Sequence, residues 1–243
     1  MNIEKVKTLQ KTISEGIKNM EEIEKSIDIK NMKPGFKNSA LDESNMLLFA
    51  LTLLESLGWK ISEGNILLEG KIIPNNLKPG QRRRRVDIGL LNREKGKYKY
   101  KVLVELKKGD IVRNSRKQIS NYMVWSNTTY GVLLNKKQLE LFENRVYGID
   151  KKGDSYQQYQ IFILSWEDIV KYRNVLNLIS KDSIESGTTK RIIGELRKCD
   201  PWSAYFNSEL ESRKLKKMKA WDANEDTCKI RLDYITDIIA RNT

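Results

Sequence analysis

Histidine is absent from all 243 residues. That absence removes the histidine-based nucleophile triads, the HEXXH metallopeptidases and the nucleases that hold metal through imidazole. General acid and base chemistry is left to carboxylates, lysine or tyrosine. Cysteine is nearly absent too: Cys199 and Cys228 form no CxxC pair and have no histidine to join them. They read as free thiols in a reducing compartment, and zinc is not expected. No apolar run approaches the roughly 20 residues needed to cross a bilayer, and MNIEKVKTLQ is too charged for a secretion signal. A cytoplasmic protein without a membrane partner is expected. No GxxxxGK(S/T) element occurs, so nothing is built to hydrolyse a nucleoside triphosphate, and any motor would be a separate protein.

What the chain has in excess is positive charge. It carries 45 Lys and Arg against 32 Asp and Glu, a formal net charge of +13, which favours a polyanionic partner such as nucleic acid. The excess is local. Between Lys60 and Lys117 there are 17 basic and 6 acidic side chains, a net of +11, whereas the 63 residues after Ser180 hold 13 and 11. The first stretch is the candidate for gripping a phosphate backbone, and the second is an ordinary solvated surface.

Apolar periodicity organises the chain. Ile3, Val6, Leu9, Ile13, Ile17, Met20, Ile23 and Ile27 recur every three or four residues, which predicts an amphipathic helix whose plainest role is packing. A loop around Pro34 and Gly35 precedes a second helix, beginning near Asp42 and ended by Gly58. Ile61 to Ile73 suits one or two strands, and Pro74 to Gly80 a turn. Arg85 to Leu91 and Tyr98 to Leu106 predict an antiparallel pair. A helix from Val112 to Trp125, a buried strand at Tyr130 to Leu134, a helix over Lys136 to Glu143, and strands near Val146 and at Gln160 to Leu164 follow. Ser165 with Asp168 three residues on is a capping signature for a helix reaching Leu178. The polar stretch Lys181 to Thr189 marks a soft boundary. Helices follow, interrupted at Pro201 and ending with Leu232, Ile235, Ile238 and Ile239 on one face. Three parts are expected: an N-terminal helix over 1–30, a core over 40–180 and a helical region over 181–243.

The chemistry concentrates in VDIGLL and KVLVELKKGD. Glu105 and Lys107 lie two apart on one strand, hence on one face, inside an apolar run where an unpaired charge would be costly. Asp87 stands 18 residues earlier, at the end of the preceding run, where a hairpin brings its carboxylate beside that of Glu105. Two hard oxygen ligands invite Mg²⁺, with Mn²⁺ as a substitute. The metal would neutralise developing charge on a phosphodiester, while Lys107 orients the nucleophile or stabilises the transition state. Arg82, Arg83, Arg84 and Arg85 are either a solvated charge run or phosphate contacts, and their nearness to Asp87 favours contacts. Lys108, Arg113, Arg116 and Lys117 extend the same track. Asp110 reads as a turn residue, and Trp202, Tyr205 and Trp221 as core or interface packing residues in preference to a base-stacking recognition module.

In these residues the chain resembles the PD-(D/E)XK superfamily of nucleases, and in detail the nuclease domain of type I restriction-enzyme R subunits. The resemblance covers roughly Leu41 to Leu178. It implies a restriction-endonuclease-like α/β fold of three layers, a mixed sheet flanked by helices, preceded by a long helix and followed by a helical region. It also implies Mg²⁺-dependent hydrolysis of DNA, with Glu43 in LDESNMLLFALTLLESLGW joining Asp87 and Glu105 at the metal. Gln118 and Tyr122 resemble the QxxxY element of several subfamilies. By that resemblance Gln118 holds the active-site geometry and Tyr122 approaches the nucleic-acid backbone. The restriction subunits carry an ATPase region in the same chain and this one does not, so translocation is not implied. Restriction, phage defence or a mobile-element system remain open as settings. A homodimer, or a separate motor or specificity subunit, is an expected partner. Two other functions stay open: a non-cleaving nucleic-acid-binding or assembly subunit, and a structure-specific RNase.

Overall fold

A computed structural model of the chain describes residues 39–72, 84–94, 97–150, 153–199 and 225–242, together with Lys11 and Glu15. Lys11 and Glu15 are helical and form an exposed i,i+4 ion pair at 3.7 Å. All of the N-terminal apolar stripe, the turn at 74–80 and the residues around Pro201 lie outside the described residues, as do Trp202, Tyr205 and Trp221. Among the described residues no helix is long and apolar enough to cross a membrane.

The chain begins with α1 (Ser39–Ser56), closed by Gly58 in the left-handed region (φ +90°), and a 3-10 turn at Ile61–Glu63. Strands β1 (Ile66–Ile72), β2 (Arg84–Glu94) and β3 (Lys97–Leu106) form an antiparallel meander. Helix α2 (Arg113–Ser126) then crosses over to β4 (Tyr130–Leu134), which lies parallel to β3. Strands β5 (Gln138–Asp150) and β6 (Gly153–Ser165) complete a mixed six-stranded sheet in the order β1-β2-β3-β4-β5-β6. The fold is α/β, and the expected hairpin, crossover helix and buried strand are present.

The sheet separates two apolar clusters. Leu103, Leu133 and Phe142 share one face with Ile119, Tyr122 and Met123 of α2. Val102, Val104, Val132, Leu134, Leu139 and Leu141 share the other with Met46, Phe49, Leu53 and Leu54 of α1. Alternation along each strand puts neighbours on opposite faces, so helices cover both sides. Phe49 meets Trp166 edge to face at 5.5 Å. Trp59, fully buried, donates its indole N–H to Ile179 O at 2.8 Å.

Two expectations are corrected. Residues 136–143 are not a helix: Gln138 onward is strand β5, pairing Leu134 with Leu139 and Leu133 with Glu140. The run QLELFE fits a period of two as well as a helical one, and β4 beside it decides. Nor is 165–178 one helix. Ser165 does cap, accepting Glu167 N–H at 3.3 Å, but a 3-10 turn at Trp166–Asp168, a short α3 (Ile169–Tyr172) and a 3-10 segment at Arg173–Ile179 follow. Trp166, Ile169, Tyr172, Val175 and Leu178 are all buried. Their spacing of three suits three residues per turn and not 3.6.

The soft boundary expected from the sequence falls on the polar stretch after Ile179. Helices α4 (Lys181–Glu185), α5 (Thr188–Cys199) and α6 (Glu225–Arg241) follow it. Lys181 N–H donates to Leu57 O at 3.0 Å and Thr189 Oγ1 to Leu178 O at 2.9 Å. Ile192, Ile193 and Leu196 join Leu232, Ile235, Ile238 and Ile239 in the same cluster as α1 and the sheet.

Candidate active site

The site forms where β2 and β3 part. Their ladder runs as far as Ile88 opposite Val104, and Asp87 and Glu105 are the next residues of the two strands. In place of a backbone acceptor, Leu106 N–H finds the Asp87 carboxylate, Oδ2 at 2.6 Å. On its other side β3 stays anchored to β4, with Lys107 N–H donating to Leu134 O at 2.8 Å. The anchored strand holds Glu105 and Lys107 firmly, and the divergence admits an acidic side chain where a ladder bond would otherwise be.

Glu105 pairs with Leu133 across the ladder and so faces α2. Lys107 and Gln118 hydrogen-bond its carboxylate, and Tyr122 extends the chain from Gln118. Lys107 Nζ donates to Glu105 Oε1 at 2.9 Å and to Gln118 Oε1 at 3.0 Å. Gln118 Nε2 donates to Glu105 Oε1 at 2.6 Å and to Tyr122 Oη at 3.0 Å. Gln118 and Tyr122 are one helical turn apart on α2, which is why one amide reaches both. Helix α2 can come this close because β4 offers Gly131: a Cβ there would fall 2.4 Å from Met123 Sδ and 2.9 Å from Ile119 Cγ1. A glycine inside the apolar run YGVLL was the available sequence signal for that approach.

Electrostatics follow from burial. Glu105 is only 4% exposed, and desolvation, reinforced by the Asp87 charge, pushes its pKa up from 4.5 to about 7 against the opposing pull of Lys107. Burial also holds the Tyr122 hydroxyl above the usual tyrosine range, and among the charges acting on it is Arg84, which acts in the opposite sense. Arg84 therefore belongs to this neighbourhood.

The donor set can be tested against the divalent cation expected from the sequence. Glu105 Oε2 is buried and has no hydrogen-bond partner among the described residues, an arrangement that is costly unless something cationic or protic satisfies it. Hard carboxylate oxygens of Asp87 and Glu105 suit Mg²⁺ or Mn²⁺. Among the described residues no group of three or more acidic, cysteine or histidine side chains gathers to hold a metal ion. Glu43 falls within α1, and its side chain lies outside the described residues.

Of the expected phosphate contacts, Arg84, Lys108, Arg113 and Lys117 are exposed, and Arg82 and Arg83 lie outside the described residues. Arg85 pairs with Glu69 on β1. Arg116 turns inward and grips Glu140 with two bonds, Nε to Oε2 at 2.8 Å and Nη2 to Oε1 at 2.6 Å. Gln138 and Gln160 complete the shell of that fully buried carboxylate at 2.7 and 3.0 Å. Arg116 is thus committed to the fold. Asp110 forms an exposed ion pair with Lys137 at 2.8 Å. No family model, curated protein or solved structure matches the chain.

Proposed function

We propose that this protein is a divalent-metal-dependent nuclease of the PD-(D/E)XK type, with a restriction-endonuclease-like core, that hydrolyses DNA phosphodiester bonds. The observation that carries this reading is the hydrogen-bonded chain from Lys107 and Glu105 through Gln118 to Tyr122, set beside Asp87 where β2 and β3 diverge. Buried carboxylates in a site of this kind are functional candidates because burial and charge partners, not surface solvation, set their protonation.

Asp87 and Glu105 would hold the cation, with Glu43 joining them by the family resemblance. Bound there, Mg²⁺ or Mn²⁺ supplies Lewis acidity toward a phosphate oxygen and lowers the pKa of water. Lys107 keeps its ammonium aimed into the site through Glu105 and Gln118, and there it stabilises negative charge that grows on the phosphate. Gln118 fixes the orientation of both partners. Tyr122 accepts from Gln118, which leaves its own hydroxyl hydrogen to donate to a phosphate oxygen. The preference for DNA over RNA rests on the resemblance.

The test is cleavage of linear, supercoiled and single-stranded DNA, and of matched RNA, with Mg²⁺, Mn²⁺ or EDTA. Metal-dependent cutting should fall on the order of 10²-fold or more in Lys107→Ala and Asp87→Ala, with binding largely kept. Normal cutting by both variants would place the centre elsewhere. Tight binding without cutting by the wild-type protein would favour the non-cleaving alternative.

A further inference from the structure

The edge strand β1 carries a distortion directly opposite Asp87. Leu68 pairs with Ile88 and Gly70 with Val86, yet the pair between them, Glu69 with Asp87, drops out of the ladder. Glu69 has φ +46°. Among the described residues the other non-glycine with positive φ is Asn127, which closes α2 as asparagine commonly does. Glutamate has no such affinity for the left-handed region, and holding it there costs free energy that the surroundings must sustain.

The consequence appears on β2. Val86 and Ile88 would share a face of a regular strand, but Val86 enters the cluster beneath α2 and Ile88 the cluster on the opposite face. Asp87 sits at that switch, and its carboxylate leaves the strand to take the Leu106 N–H. Irregular strand pairs beside active sites re-aim side chains in this way. The Glu69 carboxylate pairs with Arg85, but both side chains are more than half exposed. Such a pair contributes little by itself and does not account for the strained backbone.

We propose that Glu69 is a positioning residue: its left-handed backbone on β1 produces the switch in β2 that aims the Asp87 carboxylate at Leu106 and Glu105. This inference rests on the metal-dependent reading of the site. It makes a prediction that runs against strand propensity. At an exposed edge position valine should serve better than glycine; if the left-handed backbone aims Asp87, glycine and asparagine should serve and valine should not.

The experiment compares Glu69→Gly, Glu69→Asn, Glu69→Ala and Glu69→Val in the full chain, reading Mn²⁺ affinity, thermal stability and hydrogen exchange at the Leu106 amide. Glycine and asparagine variants should bind Mn²⁺ within about threefold of wild type. Valine should bind about tenfold more weakly or worse, with alanine between, as supporting residues around a metal typically require. Leu106 protection should follow the same order. Equal Mn²⁺ affinity and equal Leu106 protection across the series would overturn the proposal. So would loss in glycine as severe as in Asp87→Ala, because the Glu69 carboxylate would then be acting as a ligand. Leu106 exchange is readable without any metal, so a wild-type chain that binds no Mn²⁺ would count against the nuclease reading and leave the positioning role to be judged by exchange.

Discussion

Glu105 is pulled in two directions. Burial and the Asp87 charge favour its protonated form, and the Lys107 ammonium 2.9 Å away favours its ionised form. Burial wins, so the folded chain keeps a proton up to about pH 7 where the unfolded carboxyl loses it near 4.5. The stability that Glu105 confers is therefore fully present below about 4.5 and is withdrawn as pH rises to about 7. The total is on the order of 3 kcal/mol. Glu105→Gln removes the ionisation while keeping the shape. In EDTA it should melt higher than wild type at pH 8, by about 5 °C or more, with the gap shrinking toward pH 4.5. Thermal unfolding followed across that range is the measurement, and a gap independent of pH would mean that Glu105 ionises as an exposed carboxylate does. A buried carboxylate that destabilises the fold at neutral pH is the expected mark of a residue kept for chemistry.

At the level of elements, the site depends on how far α2 descends onto β4, and Gly131 sets that distance. Any side chain at 131 collides with Met123 and Ile119. Gly131→Val should therefore cost about 1–3 kcal/mol as an overpacked core substitution does. It should also lower turnover more than stability alone explains, because Gln118 and Tyr122 ride on the displaced helix. Melting and cleavage measured on the same preparation separate the two effects. Activity that tracks only the folded fraction would show that α2 tolerates the shift. The contacts made by local pattern were legible in the sequence: the period of two in KVLVELK placed Glu105 with Lys107, and the four-residue spacing placed Gln118 with Tyr122. Contacts between distant segments were not. Glu140 lay inside the stretch expected to be a helix, and its neutralising partner, Arg116, is 24 positions away across the α2 crossover. The same pairing removed Arg116 from the phosphate track. The Leu106 amide, an uncharged backbone group, left no trace in composition or spacing. Likewise the three-residue spacing from Trp166 to Leu178 passes for helical periodicity until the core it lines is in view.

For the whole molecule, the proposed function together with the net charge of +13 predicts a DNA affinity governed by counterion release. Only cations that remain exposed can release counterions from phosphates, and folding sorts them. Arg116 is neutralised inside and Arg85 is paired on the β1 edge, whereas Arg113 and Lys117 stand exposed one turn apart on α2. They are exposed cations on the same helix as Gln118 and Tyr122, which makes them the side chains to test for phosphate contacts under the proposed function. Replacing Arg113 and Lys117 together by alanine keeps helix propensity intact and should leave melting unchanged. The slope of log affinity against log salt for duplex DNA should become shallower by about 2, one for each phosphate that the variant no longer neutralises. Affinity at low salt should fall uniformly across sequences, since phosphate contacts carry no base information. Binding titrations at several salt concentrations on two unrelated duplexes provide the readout. An unchanged slope would rule out α2 as the phosphate-binding surface and leave Arg84 as the candidate beside the site. A change confined to one duplex would make these side chains readers of sequence and not of backbone.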